Sequence, residues 1–174
     1  MIILSSDFLL TRRSVKKYKS DAVPQEKVDK ILACGTNAPT GMNRQSPIIV
    51  SISDKKTIAI LEKENARVLG NEAIHPFYGA PVLVVVFRNP DISTGFEDAC
   101  LVMGNLLNAA HCEGLGACWI HRAKEVFEAE IGKQFMKQWG VPENFIGVGN
   151  CIIGYSDEVP TEKARKKDYV INVK

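Results

Sequence analysis

Apolar residues recur at helical spacing in some segments of the chain and fill short continuous runs in others. Apolar positions every three or four residues predict helices from Pro24 to about Thr36 and from Lys55 to about Leu69. The remaining predicted helices cover residues 5–10, 94–113, 123–131 and 133–139, and the predicted strands cover residues 48–53, 80–87, 117–120 and 145–155. Because these elements alternate and no segment repeats, the pattern indicates one domain that combines helices with a sheet.

Two segments have apolar patterns that require cover on more than one side. Residues 80–87 contain no polar alternation, so this strand is predicted to be buried on both faces at the centre of a sheet. The helix over residues 94–113 is apolar almost all round, so it must lie in the core or against a second subunit. The polar, basic segment from Ser156 onward offers no core contact of its own and is expected to lie along another surface.

The composition is that of an ordinary globular protein, with 174 residues of which 45% are hydrophobic and 24% charged. A formal net charge of +2 is too small for a broad nucleic-acid-binding face. The longest apolar run is too short to span a membrane, and Asp7 and Arg12 flank the first apolar stretch in the reverse order of a secretory signal. We therefore expect a cytoplasmic protein that binds neither nucleic acid nor membrane.

The five cysteines are odd in number and include no CxxC pair, which predicts reduced thiols. His111, Cys112, Cys118 and His121 superficially resemble a metal site. Adjacent His111 and Cys112 would point to different sides of a helix, so no metal is expected; a metal-binding regulator is kept as a minor alternative.

Two polar segments near the N-terminus have the composition of an anion-binding site. The segment Arg12-Arg13-Ser14-Val15-Lys16 offers three cations and a hydroxyl, and guanidinium groups pair well with phosphate oxygens. The loop Ala38-Pro39-Thr40-Gly41-Met42-Asn43-Arg44-Gln45 is punctuated by Pro and Gly and rich in amide and hydroxyl groups, as expected where a loop must reach a ligand.

In this order the two segments resemble the opening of the FMN-dependent nitroreductase family, and the similarity extends from about Thr11 to Val170. The resemblance implies a nitroreductase-like α+β fold with a mixed central sheet flanked by helices. It also implies a single FMN-binding domain over residues 1–174 and an intertwined homodimer with two FMN sites at the subunit interface. The tail over residues 156–174 would embrace the partner subunit.

The resemblance also assigns roles to individual residues. Arg12 and Ser14 would bind the FMN phosphate and ribityl chain with Arg13 beside them, and Lys163 and Arg165 match a K-x-R motif that closes over the phosphate.

Two further groups would meet the flavin ring. Lys16 would face the N1/O2 edge, where a fixed ammonium stabilises the negative charge of the reduced ring; it is the one catalytic residue proposed. The loop residues expected to reach the flavin from the other subunit are Pro39, Thr40, Gly41, Asn43 and Gln45. The turn expected at flavin N5 and O4 comprises Trp119, Ile120, His121 and Arg122, and Trp119 has a core position as its alternative.

The implied activity is hydride transfer from NADH or NADPH to FMN, followed by reduction of a small-molecule acceptor, a nitroaromatic or a quinone. Alternatives on the same fold are dehalogenation, ring dehydrogenation and flavin breakdown, and a flavin-binding or redox-sensing protein without turnover is a further one. Two departures from the family pattern lie on the substrate side: Ser46-Pro47 replaces Pro-Trp, and His121-Arg122 stands where an acidic residue or Gly is frequent.

Overall fold

In the computed structural model, which describes residues 6–173, a four-stranded sheet forms the middle layer. Its strands are β1 (Ile48–Ile52), β2 (Val82–Arg88), β3 (Gly116–Ile120) and β4 (Ile146–Gly154), in the order β1-β2-β4-β3 with antiparallel pairing throughout. Strand β2 is interior, and residues 82–87 are all buried. The prediction drawn from its unbroken apolar run is confirmed.

Helices cover both faces of the sheet. They are α1 (Asp7–Thr11), α2 (Gln25–Thr36), α3 (Lys55–Leu69), α4 (Gly95–Cys112), α5 (Ala123–Glu128) and α6 (Glu130–Trp139). Helices α2 and α4 pack on one face, where Val84, Val86 and Leu106 belong to one core. Helices α3, α5 and α6 pack on the other, where Leu83 and Phe87 contribute to a second core. Alternate residues of one buried strand thus supply both cores.

The segment after α1 covers the free edge of β3. Ser14 forms a parallel bridge with Ala117, and the backbone N–H of Val15 donates to the Ala117 carbonyl at 3.1 Å. A Cβ atom on Gly116 would come within 2.7 Å of the Val15 side chain, so this close approach requires glycine. This isolated parallel bridge lies outside the four antiparallel strands and fixes the position of the cationic segment.

The predicted break between the two helices after β3 is misplaced. The sequence pattern placed it near Gly132, whereas the chain bends at Ala129, whose extended backbone separates α5 from α6. Gly132 lies inside α6, where an added Cβ would approach the Val126 carbonyl oxygen at 2.1 Å. Gly132 therefore serves close packing between the two helices and does not interrupt either of them.

Helix α4 is only partly covered within one chain. Its residues Ala99, Met103 and Leu106 are fully buried, whereas Phe96 and Leu101 are 53% and 48% exposed. The sheet, α2 and α1 therefore cover part of α4, and the side that carries Phe96 and Leu101 stays uncovered.

Three further observations concern residues 6–173. None of the helices in this range is long and apolar enough to cross a bilayer. All five cysteines lie in it, and each is a free thiol. No three His, Cys, Asp or Glu side chains in it converge as metal ligands.

Candidate active site

Residues from the two ends of the chain line one cavity of about 590 Å³. Arg12 and Ser14 belong to the segment after α1, and Lys163 and Arg165 belong to the C-terminal tail. None of the three cations is ion-paired with a side chain that the structure describes. Since guanidinium and ammonium groups are strong donors to phosphate oxygens, this cavity has the donor set of a phosphate site.

The tail reaches this cavity because its first residues are held against the N-terminal segment. Tyr18 and Ser156 form an antiparallel bridge, and the Asp157 N–H donates to the Lys17 carbonyl at 2.9 Å. The Glu158 carboxylate accepts a hydrogen bond from the backbone N–H of Lys16. Residues 161–173 are all exposed, so contact between this part of the tail and a partner subunit stays a prediction.

Arg13 lines the same cavity but has other partners. Its guanidinium donates to the carbonyls of Leu10 and Arg12 and pairs with Glu162 at 3.1 Å. It therefore caps the end of α1 and ties the tail down. This arrangement favours a supporting role beside the phosphate site over direct binding.

A second cavity of about 410 Å³ adjoins the first, because Ser14 and Lys16 line both. Its floor comes from the end of β3 and the turn that follows. Its lining from that region consists of Cys118, Trp119, Ile120, His121 and Arg122. The four residues predicted at the flavin ring therefore lie together, next to the cavity that carries the predicted phosphate residues.

Two buried amides hold the turn after β3. The side chain of Asn65, on α3, donates to the His121 carbonyl at 2.9 Å. The side chain of Asn150, on β4, donates to the carbonyls of Ile120 and His121 at 3.3 and 3.4 Å. Because a trans peptide sets its C=O and N–H in opposite directions, the Arg122 N–H points away from both amides. Two almost fully buried side chains thus pre-organise the turn.

We expect Asn150→Ala to destabilise the fold by about 1–3 kcal/mol, because it leaves the buried Ile120 carbonyl without its amide partner. Urea denaturation of the variant measures this loss. Asn144→Ala is the matched control, since the Asn144 amide donates to Asp91 at an exposed position. Equal destabilisation by the two substitutions would contradict a special role for Asn150.

Trp119 is both a core residue and a cavity residue. It is partly buried against the core beneath α2 and α4, and it lines the 410 Å³ cavity. A Cβ atom on Gly149 would lie 2.5 Å from the indole Nε1, so glycine at this position of β4 makes room for the ring. Trp119 therefore has the core position given as its alternative and also lines the cavity, and its contact with the flavin stays a prediction.

The opposite wall of this cavity comes from the loop after α3. Its lining residues are Leu69, Ile74, Pro76 and Tyr78. The Lys16 Nζ lies 6.0 Å from the centroid of the Tyr78 ring, at the outer limit of a cation–π contact. Glu62 holds the loop by accepting from the Phe77 N–H at 2.8 Å. The ammonium that was predicted beside the flavin thus lines the 410 Å³ cavity, the ring-side cavity.

The Cys118 thiol in this cavity stays protonated. Burial raises its pKa above the ordinary value, and the hydrogen bond with Ser14 and the charges of Lys16 and Arg12 only partly offset that effect. A neutral thiol is a weak nucleophile, so Cys118 contributes packing at this position.

The predicted loop from Pro39 to Gln45 lines neither cavity. It is anchored on α4, where the Asp98 carboxylate accepts from the Gly41 N–H at 2.9 Å and from the Thr94 hydroxyl at 3.1 Å.

The loop also stores backbone strain. Met42, Asn43 and Gln45 have φ values of 54°, 54° and 50°, a region that non-glycine residues rarely adopt. The Thr40 hydroxyl accepts from the Gln45 N–H, and the Gln45 side chain donates to Asn43 at 3.1 Å. Strained, exposed loops of this kind are frequently ligand-binding loops.

Sequence reasoning missed Asn65, Asn150 and Tyr78. Asn150 carried a usable signal, because it is a lone amide in an otherwise apolar strand. Asn65 follows Ile58 and Leu61 at helical spacing, which marks it as buried. Neither signal shows that both amides meet the same carbonyl.

The fold and this site define an α+β domain with a cationic cavity beside an aromatic-lined one, an arrangement suited to a phosphorylated aromatic cofactor. The chain belongs to the nitroreductase family, whose family model matches residues 9–155. The resemblance drawn from the N-terminal motifs and the predicted nitroreductase-like α+β fold are therefore confirmed.

Relatives and solved structures agree with this placement. A protein of Methanothermobacter thermautotrophicus, provisionally named an NADH dehydrogenase/NAD(P)H nitroreductase, is 28% identical over 86% of this chain and 76% of its own length. A nitroreductase with bound FMN from Bacteroides fragilis superposes with a TM-score of 0.89 at 25% identity, covering 97% of each chain. Iodotyrosine deiodinase bound to FMN and 3-iodo-L-tyrosine shares the fold, with a TM-score of 0.76 at 22% identity over 97% of this chain and 98% of its own.

Proposed function

We propose that this chain is an FMN-dependent oxidoreductase that takes reducing equivalents from NADH or NADPH and passes them to a nitroaromatic or quinone acceptor. The observation that carries the proposal is the pair of adjoining cavities, one lined by unpaired cations and the other by the turn after β3. Family membership and relatives named as NAD(P)H nitroreductases support the cofactor and the donor.

The residues present fit FMN at both ends of the paired cavities. Arg12, Ser14, Lys163 and Arg165 would hold the phosphate in the 590 Å³ cavity. Each of the two cavities falls in the range of about 300–1,000 Å³ typical of cofactor sites. Glu158 is the one carboxylate lining the phosphate side, and its hydrogen bond to the Lys16 backbone keeps that segment in place.

At the ring end, the turn from Trp119 to Arg122 would present backbone groups to the flavin edge. Lys16 would lie beside the ring with its charge fixed near Tyr78. Bound FMN supplies the two-electron chemistry, and the chain supplies position and electrostatics. This division explains why a site without paired carboxylates or a catalytic triad suffices.

We also propose that the protein works as a homodimer, because the loop from Pro39 to Gln45 is incomplete as a binding element within one chain. The uncovered side of α4 with Phe96 and Leu101, and the exposed tail residues Val170 and Ile171, offer apolar surface for a second copy. The loop of one subunit would then reach the flavin of the other.

For such a dimer, folding and association are coupled, so the melting temperature should rise with protein concentration and with added FMN. Differential scanning calorimetry over a concentration series measures both effects. A flavin-loaded monomer in sedimentation velocity at micromolar concentration would contradict the dimer.

Turnover is tested by anaerobic absorbance spectroscopy of the FMN-loaded protein. NADH or NADPH should bleach the flavin within seconds, and a nitroaromatic or quinone should restore the colour. A flavin that NAD(P)H does not bleach would indicate binding or sensing without turnover, and stoichiometric zinc without flavin would indicate a metal-binding regulator.

The alternative reactions are tested with other substrates. Iodinated aromatics test dehalogenation, and reduced rings test ring dehydrogenation. Loss of the flavin itself would indicate flavin breakdown.

A further inference from the structure

A third cavity of about 230 Å³ lies behind the turn after β3 and is rich in cations. Arg88, Arg122 and Lys124 line it, with His121 at its edge and Glu125 as the single carboxylate in its lining. Phe96 of α4, which also belongs to the surface offered to a second copy, forms an apolar side. The lining therefore combines three permanent positive charges with one negative charge.

Arg122 connects this cavity with the ring-side one, because it lines both. Its backbone has a φ of 73°, a left-handed conformation in which a residue with a Cβ is strained. Its Nε donates to the Asn65 amide oxygen at 3.3 Å, which sets the direction of the guanidinium. Arg122 thus carries a charged side chain at a backbone position suited to glycine, and the buried Asn65 orients its guanidinium.

Arg88 and Lys124 have little to neutralise them. Arg88 ends β2, is half-buried, and forms no ion pair with a described side chain. Lys124 faces Glu128 at 3.9 Å, and both side chains are more than half exposed, so this pair neutralises it weakly. The cavity consequently keeps a net positive charge next to the ring-side cavity.

We propose that Arg88, Arg122 and Lys124 form a subsite for the anionic group, carboxylate or phosphate, of a reactant whose other end enters the ring-side cavity. The anion has two possible sources: a carboxylated aromatic acceptor, or a phosphate of the nicotinamide dinucleotide. This inference rests on the proposed function, since it specifies which reactants that site prefers.

The kinetic test compares Arg88→Gln and Lys124→Gln with Lys133→Gln, which removes one exposed charge on α6 from a residue that does not line this cavity. If the acceptor supplies the anion, the KM for para-nitrobenzoate should rise about five- to tenfold in the first two variants, while that for para-nitrobenzamide changes less than about twofold. If the nicotinamide dinucleotide supplies the anion, one of two results is expected. Either the KM for NADPH rises more than the KM for NADH, or the KM values for both dinucleotides rise while those for both acceptors stay unchanged. The subsite is wrong if the KM values for para-nitrobenzoate and para-nitrobenzamide change equally and those for both dinucleotides stay unchanged.

A binding measurement keeps this inference separate from the proposed function. Isothermal titration calorimetry of the FMN-loaded, oxidised protein with para-nitrobenzoate and with NADP⁺ requires no turnover. At least one of these two ligands should bind the wild-type protein and the Lys133→Gln variant with the same affinity. The same ligand should bind the Arg88→Gln variant several-fold more weakly. If neither binds, or if Arg88→Gln binds both as wild type does, the subsite is wrong even when the enzyme turns over; failure of flavin reduction with anion binding intact would instead refute the proposed function.

Discussion

The Arg12→Ala variant is expected to bind FMN about ten- to a hundredfold more weakly than wild type. Arg12 lines the cavity shared with Ser14, Lys163 and Arg165 and has no described ion-pair partner to compete with a phosphate. Loss of a charge-assisted hydrogen bond costs about 1.5–3 kcal/mol, which corresponds to that range of affinity. Fluorescence titration of apoprotein with FMN measures the change.

Two controls make this prediction specific. Riboflavin lacks the phosphate, so its weaker binding should be almost the same in wild type and in Arg12→Ala. Lys17→Ala removes a neighbouring charge that faces Asp157 at 2.9 Å outside both cavities, so it should leave FMN affinity within about twofold. FMN affinity unchanged in Arg12→Ala, or reduced equally in Lys17→Ala, would show that the cavity is not the phosphate site.

Lys16→Met is expected to lower the reduction potential of bound FMN by tens of millivolts and to slow its reduction by NAD(P)H. An ammonium that interacts more strongly with the reduced ring than with the oxidised one shifts the redox equilibrium, whereas equal interaction changes affinity alone. For a two-electron couple, a shift of about 30 mV corresponds to about 1.4 kcal/mol. Dye-equilibrated spectroscopic titration measures the potential.

Lys17→Met provides the matched control for Lys16, because it removes the same charge one residue along the chain and outside the ring-side cavity. Its midpoint potential should equal that of wild type. If Lys16→Met also leaves both the potential and the rate of flavin reduction unchanged, Lys16 has no electrostatic role and its position near Tyr78 is incidental.

The sequence predicts the core elements well because burial leaves a strong periodic signal. The bounds predicted for α3 agree with the structure, since Asp54 caps its first turn by accepting from Thr57 and Gly70 ends it in a left-handed conformation. The unbroken apolar run of β2 identified the centre of the sheet. Such signals are local, so a single sequence carries them.

Features that depend on contacts between distant residues were not predictable in the same way. The break at Ala129 follows from how closely α6 packs on the end of α5, which the spacing of apolar residues does not encode. The convergence of Asn65 and Asn150 on one carbonyl joins residues far apart in the chain.

For the candidate site, the motifs near the N-terminus and in the tail predicted which residues would meet. Arg12, Ser14, Lys163 and Arg165 do line one cavity. Their assignment to FMN stays a proposal, as does the role of the loop from Pro39 to Gln45. The sequence offered no signal for the Tyr78 wall, because a loop residue with a φ of 52° has no characteristic pattern around it.

The central claim is that the 590 Å³ and 410 Å³ cavities form a single FMN site, and a crystal structure of the protein with FMN tests it most directly. The account predicts the phosphate within hydrogen-bond distance of Arg12 and Arg165, and the flavin ring against the turn from Trp119 to Arg122. It also predicts the loop from Pro39 to Gln45 of a second copy beside that ring. A flavin bound outside these two cavities, or a phosphate that neither Arg12 nor Arg165 contacts, would contradict this claim.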